Sequence, residues 1–341
     1  MNAVALAEAT SPPERRGVGR DRVRMLVGRG SGVEHAVFRD LPRLLDPGDL
    51  LVVNTSATLA AALAAIAPGG RTLRLHLSTP VPGTDPGEGL WMIELRIPAG
   101  PGSLPFAAGR RGWRLALPGG GHARLLRGGP RLWVARLDLP VGLFEQLEAH
   151  GRPIRYAYAG ADWPIDDYQT VFATHMGSAE MPSAGRAFTD ELVTALVAAG
   201  VELAPIVLHT GVSSPETGEP PFAEWFRVPE ATARHVNAVR AGGGRAIAVG
   251  TTAVRALETA AAGNPTVSAA EGWTELVIDE GRGVTIVDGL LTGWHAPQGT
   301  HLDLVRAVAG RDLVDRCYEA AAAHGYLWHE FGDLNLLLPE A

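Results

Sequence analysis

The segment Arg245 to Glu258 (RAIAVGTTAVRALE) has the pattern of a buried strand, a Gly250-Thr251-Thr252 turn and an amphipathic helix. At such a turn the first helical N–H groups have no intrahelical partners. With the two threonine hydroxyls beside them they suit a carboxylate, a ribose or a phosphate. Plain capping of the helix by a threonine would use the same residues, and Arg255 and Glu258, three apart, are spaced to pair with each other.

Three further segments place reactive side chains just beyond strand-like runs. Asp288 to Thr300 (DGLLTGWHAPQGT) carries His295 in a loop that ends at Thr300, and histidine moves protons near neutral pH. Gly177 to Arg186 (GSAEMPSAGR) is a loop of small residues with one acid and one base, in which Ser183 and Gly185 let a ligand approach the backbone closely. His209 opens the segment HTGVSS after the apolar run Pro205 to Leu208. Loops from separate strands of one parallel sheet converge on one crevice, so Thr251, Thr252, His295, Ser183 and His209 are candidates for one site. His295, His301 and Asp303 match no established zinc spacing, and no metal is expected.

The elements that must position these residues are of two kinds. Strict alternation marks strands at Leu73, Leu75 and Leu77, at Trp91, Ile93, Leu95 and Ile97, at Trp113, Leu115 and Leu117, and at Trp133, Ala135, Leu137 and Leu139. Gly- and Pro-rich turns separate them, which predicts a small antiparallel β-barrel over residues 57–151. Outside it, apolar runs (Leu50 to Val53, Leu203 to Leu208, Ala246 to Val249, Val284 to Val287, Leu334 to Leu338) alternate with helical stretches (Asp190 to Ala199, Glu230 to Arg240, Ala253 to Ala262, Leu302 to Val308, Leu313 to His324). The expectation is an α/β main domain built from both chain ends, residues 1–56 and 152–341, with the antiparallel β-barrel inserted.

Composition narrows the chemistry. The 341 residues include no lysine, which excludes a Schiff-base nucleophile, a pyridoxal phosphate anchor and a phosphate-loop lysine. A single cysteine, Cys317, excludes an intramolecular disulfide and a multi-cysteine metal centre. No apolar run approaches the roughly 18–20 residues of a membrane span, and no basic-then-apolar leader opens the chain, so a soluble cytoplasmic protein is expected. Net charge is −7, yet Arg96 to Arg136 holds eight arginines and no acid. Arg110, Arg111, Arg114, Arg124 and Arg127 are therefore either a phosphate or nucleic-acid contact surface or simply the solvent face of strands.

Longer strings carry a resemblance. FRDLP (38–42), PGDLLVVN (47–54), YQTVF (168–172), PSAG (182–185), VGTTAVRALE (249–258), HAP (295–297) and Gly332-Asp333 together resemble the S-adenosylmethionine:tRNA ribosyltransferase-isomerase family of queuosine biosynthesis, nearly end to end. The family's usual NDTR is Asn54 to Ala57 (NTSA) here, and its AGLHF is Ala184 to Phe188 (AGRAF). Its HxGxGTF is His209 to Pro215 (HTGVSSP), its HxMHxE is Trp225 to Glu230 with the acid kept, and its NFHLP is Gly293 to Pro297 (GWHAP). These departures mark a divergent branch with a remodelled pocket.

The resemblance implies an α/β domain with an inserted barrel, and transfer of the ribosyl group of S-adenosylmethionine to the aminomethyl group of a 7-deazaguanine base in tRNA. S-adenosylmethionine is then a substrate, and neither metal nor redox cofactor is needed. The sulfonium acidifies the adjacent ribose carbon, so the site needs a base there, a donor for departing adenine and a clamp for the amino-acid end. On this basis His295 is the expected proton carrier, Asp333 a second acid/base or amine-orienting group, and Gly250-Thr251-Thr252 with Arg255 the clamp. The altered motifs leave open a small-molecule transferase or lyase using S-adenosylmethionine, and a non-catalytic nucleic-acid-binding relative.

Overall fold

The computed structural model describes residues 7–129, 131–158, 160–212, 222–295 and 300–340. Ser213, Ser214 and Pro215 of the His209 segment, and Ala296 and Pro297 beside His295, lie outside them. A nine-stranded sheet runs in the order Ala270–Thr274, Glu224–Val228, Glu202–Leu208, Leu50–Asn54, Ala246–Val249, Gly289–Gly293, Leu334–Leu338, Arg24–Arg29, Gly32–Val37. Its four central strands, from Glu202–Leu208 to Gly289–Gly293, are parallel.

Both faces of that parallel centre are covered, which explains why its strands are continuous apolar runs rather than alternating ones. Leu50 and Val52 pack on one face with Val254, Leu257, Val305 and Val314 of the helices Thr251–Ala261, Thr300–Ala309 and Arg311–Ala323. Leu51 and Val53 face the other way, onto Phe38, Phe188 and, from the helix Asp190–Ala198, Leu192.

Six antiparallel strands close into a barrel between two halves of this domain: Ala62–Ile66, Thr72–Pro80, Leu90–Ala99, Leu132–Asp138, His122–Gly128 and Arg114–Ala116, which returns to Ala62–Ile66. Leu73, Leu75, Leu77, Ile93 and Leu115 fill its interior, as their alternation predicts, together with Leu125 of a strand the alternation does not mark. The fold is thus the expected α/β architecture with an inserted antiparallel barrel. Among the described residues no helix is long and apolar enough to cross a membrane.

One predicted strand is absent. Val284 to Val287 is irregular, and the strand begins only at Gly289. The backbone N–H groups of Thr285, Ile286 and Val287 donate to the carboxylate of Glu258, which is fully buried, at 2.8–3.3 Å, so no neighbouring strand is needed to satisfy them. The same bonds occupy Glu258, and its predicted pairing with Arg255 does not form.

Candidate active site

A cavity of about 800 Å³ lies beyond the carboxyl ends of the parallel strands, walled on one side by Arg96, Ser103 and Leu104 of the barrel. Gly250, Thr251, Thr252, Arg255, Ser183, His295 and Thr300 all line it; Gly185, His209 and Asp333 do not. Three of the four predicted segments reach it from the ends of sheet strands. The fourth, which holds Ser183, follows the strand His175–Ser178, whose partner is the short strand Ser56–Thr58 rather than a member of the large sheet.

Gly250 turns the chain into the helix Thr251–Ala261 with φ at +90°, a conformation that favours glycine. Gly250 itself is the N-cap, and no side chain caps the helix. The threonines are its first two residues, so the plain-capping alternative is not realised and the helix presents an uncapped N-terminus to the cavity. The Asn54 amide donates to Thr252 Oγ1 at 3.3 Å and to the Leu208 carbonyl at 2.9 Å, tying together the ends of three parallel strands.

Arg255 is almost wholly engaged by the protein. It pairs with Glu224, and its other donors reach the carbonyls of Leu276 at 3.1 Å and of Phe222 and Thr274 at 3.3 Å. Burial pushes the Glu224 carboxyl up, opposed by Arg255 and by the Gly211 N–H. The acid retained in the altered Trp225 to Glu230 motif is Glu230, which pairs with Arg234 on the first turn of the helix Glu230–Ala241. Glu224, six residues earlier, lines the cavity, and Glu230 does not.

His295 is half-buried, with Nε2 hydrogen-bonded to Thr292 Oγ1 at 3.0 Å. Its backbone N–H donates to the Tyr318 hydroxyl at 3.1 Å, and its ring stacks on His301 at 5.0 Å between centroids. Burial, with the neighbouring imidazoles of His301 and His329, pushes its pKa down to about 3. His329, lowered to about 4, is also a neutral imidazole at neutral pH.

Two expected site residues have other partners. His209 hydrogen-bonds Ser56 Oγ through Nδ1 at 2.7 Å and stacks on Trp225, and burial lowers it to about 4. Asp333, expected to act as an acid/base, is buried away from the cavity. It accepts from the Arg24 N–H at 3.0 Å, the Arg24 guanidinium at 2.7 Å and the Leu327 N–H at 2.9 Å. Those bonds fasten the chain's last strand to Arg24–Arg29. Gly185 lies in a buried 3₁₀ turn, Ser183–Gly185, against Thr170 and Phe172.

The cavity also holds groups that local pattern did not single out. Tyr156 donates to Glu180, and Tyr158 donates to Glu330 at 2.5 Å. Tyr156 is set by a close crossing: a Cβ on Gly102 of the barrel would lie 1.9 Å from the Tyr156 carbonyl oxygen. His329 stacks between Tyr158 and Trp328 and has φ at +75°, a strained backbone for a histidine. Burial, reinforced by Glu180, pushes the Glu330 carboxyl up to about 7, against the Tyr158 hydrogen bond. Glu180 was visible only as the one acid of a small-residue loop; Glu330 follows a strand of two residues, Leu327–Trp328, too short to show a period.

The basic segment divides. Arg96 and Arg131 are buried, and both approach Glu94, at 2.7 and 3.4 Å. Arg110, Arg111, Arg114, Arg124 and Arg127 are exposed on the barrel. Arg114 stands directly opposite Arg124, and Arg124 opposite Arg136, so three adjacent strands carry a ladder of like charges, relieved at one end by Asp138, 4.0 Å from Arg114.

A family model described as "Queuosine biosynthesis protein" matches residues 5–337. A protein of Symbiobacterium thermophilum named S-adenosylmethionine:tRNA ribosyltransferase-isomerase is 38% identical, over 92% of this chain and 92% of its own length. A Thermus thermophilus protein of the same name is 36% identical, over 94% of this chain and 93% of its own. The crystal structure of S-adenosylmethionine tRNA ribosyltransferase from Thermotoga maritima superposes with a TM-score of 0.54 at 29% identity, covering 98% of this chain and 99% of that one.

Proposed function

Because the chain belongs to the queuosine biosynthesis protein family, we propose that it carries out the reaction for which its relatives are named. The ribosyl group of S-adenosylmethionine is transferred to a 7-aminomethyl-7-deazaguanine base in tRNA and isomerised, giving epoxyqueuosine, adenine and methionine. The observation that carries this reading is the uncapped helix N-terminus at Gly250-Thr251-Thr252, which opens into the cavity from within the longest family string.

That N-terminus suits the methionine carboxylate, with Ser183 and Thr300 as further polar contacts. Arg255, spent on Glu224, braces the wall behind it rather than meeting the carboxylate head-on. His295 acts from its neutral form, as acceptor of a proton from the carbon next to the sulfonium. S-adenosylmethionine enters as a substrate, and the reading includes no resident metal or redox cofactor.

The reading divides the work between a catalytic domain, residues 1–56 and 152–341, and a barrel, residues 57–151, that holds tRNA phosphates. Support for the second role comes from the arginine ladder, since like charges facing one another across strands cost stability and gain a return on meeting a polyanion. A tRNA substrate assigns the protein to the cytoplasm.

Incubation with S-adenosylmethionine tests the reading by adenine release. Release that requires tRNA bearing the 7-aminomethyl-7-deazaguanine base is the expected result. Release with a free small acceptor and no tRNA would favour the small-molecule enzyme, and no release with either acceptor would refute both.

A further inference from the structure

Part of the cavity lining is built from a different chemistry than the helix N-terminus. Glu180 and Glu330 both face the cavity, and each receives a phenol: Tyr156 donates to Glu180 and Tyr158 to Glu330, with the two rings 6.2 Å apart. Tyr168 lines the same wall. It is 3% exposed, and its hydroxyl has no hydrogen-bond partner among the described residues. A buried hydroxyl left without a partner costs free energy, and this one borders space a ligand can fill.

Two arginines near these carboxylates have other partners. Arg96 lies over the Tyr156 ring at 4.7 Å, but its guanidinium is held by Glu94 and Ser103. Arg186, whose charge reaches Glu330, is held by Glu14 and the Asp167 carbonyl. The Glu180 and Glu330 carboxylates and the Tyr168 phenol oxygen each bring an acceptor to the lining of one cavity. A primary ammonium has three donors and a compact positive charge, whereas a sulfonium has no donor to give.

We propose that Glu180, Glu330 and Tyr168 form a subsite for a primary alkylammonium group of the substrate. The inference rests on the reaction proposed above, which offers that chemistry twice: in the α-ammonium of S-adenosylmethionine and in the aminomethyl group of the acceptor base. Thr251 lines the same cavity, so the carboxylate and ammonium ends of the substrates have separate partners within it. Binding of the ammonium also holds Glu330 in its ionised form, which burial and the charge of Glu180 disfavour against the Tyr158 hydrogen bond and Arg186.

The test uses the full chain with Glu180→Gln, Glu330→Gln and Tyr168→Phe. The first two remove a charge without changing shape, and the third removes only an unpartnered hydroxyl, so all three are expected to fold, as melting curves will verify. Calorimetry compares S-adenosylmethionine with its analogue bearing hydroxyl in place of the α-amine, and 7-aminomethyl-7-deazaguanine with its 7-methyl counterpart. The wild type should prefer one amine over its amine-free analogue by about tenfold or more, and both Glu→Gln variants should erase that preference. The ligand pair that responds identifies the source of the ammonium. If the wild type binds both substrates and the variants keep its preferences, the subsite is refuted and the proposed reaction stands. If the wild type binds neither substrate, both fall.

Discussion

Arg255 sits in the longest family string and lines the cavity, so the obvious expectation is that its removal abolishes binding. The geometry predicts a different outcome. The guanidinium's hydrogen bonds all go to protein groups, and the pair with Glu224 is buried: the side chains are 8% and 13% exposed. Arg255→Met keeps the stem and removes the charge, leaving Glu224 with the Gly211 N–H at 2.8 Å. Breaking a buried pair this way costs about 3–5 kcal/mol, toward the lower figure here because the cavity admits water to the carboxylate. Glu224→Gln should cost only about 1–2 kcal/mol, since the amide oxygen still accepts from the guanidinium and the three carbonyls remain. The double variant buries no lone charge, so it should cost less than the two single variants together, by about 2 kcal/mol. Urea denaturation of the four proteins at pH 7.5 (roughly physiological), with a common m-value, measures this coupling. Effects that add to within about 0.5 kcal/mol would show that Arg255 does not spend its charge on Glu224, and would return it to the substrate.

Glu330 gives a pH signature: its folded pKa of about 7 stands above the usual 4.5, so the folded state holds the proton more tightly. Stability should therefore fall as pH rises from 4.5 to 7, by at most about 3 kcal/mol, and level off above; Glu330→Gln should flatten that slope in urea denaturation at the two ends of the range, and an unchanged slope would assign it to other groups. His295→Asn should lower turnover about 10²–10⁴-fold with the melting temperature little changed. Because His295 is held down to about 3, the wild-type rate profile should contain no limb near neutrality that this substitution removes, and finding one would contradict the neutral imidazole. Replacing Arg114, Arg124 and Arg136 by Ala should weaken tRNA binding and lower the salt slope by about 0.9 for each phosphate no longer neutralised, leaving S-adenosylmethionine affinity alone. Unchanged tRNA affinity in a filter-binding assay would leave those arginines as a solvated face.

What could be seen in the sequence was whatever a short window encodes. Leu73, Leu75 and Leu77 alternate because one side of their strand faces the barrel interior; Leu50 to Val53 does not alternate because both sides of its strand are covered. The turn at Gly250 was visible because its strand, turn and helix are contiguous. Val284 to Val287 misled for a reason no window contains: its N–H groups are satisfied by Glu258, a residue 27 to 29 positions away. The same holds for polar residues. Asp333 stands in a family string, yet its oxygens go to Arg24, 309 residues distant, and so the string's acid fastens two strands while Glu330 faces the cavity.

The distinction has a physical basis. Backbone elements are selected by local periodicity, which one chain displays in full, whereas the charge state and contacts of a side chain depend on what the fold brings against it. Glu180 and Glu330 are 150 residues apart in sequence and become neighbours only because the linker that carries Tyr156 and Tyr158 crosses between barrel and sheet. Their joint negative charge in a partly buried wall is costly unless a proton or a cation offsets it. A cavity lined by both these carboxylates and an uncapped helix N-terminus is therefore electrically polarised before any substrate enters. On the proposed subsite, a zwitterionic amino-acid end, or a carboxylate on one substrate and an amine on another, is favoured with its negative end on Thr251 and its positive end on Glu330.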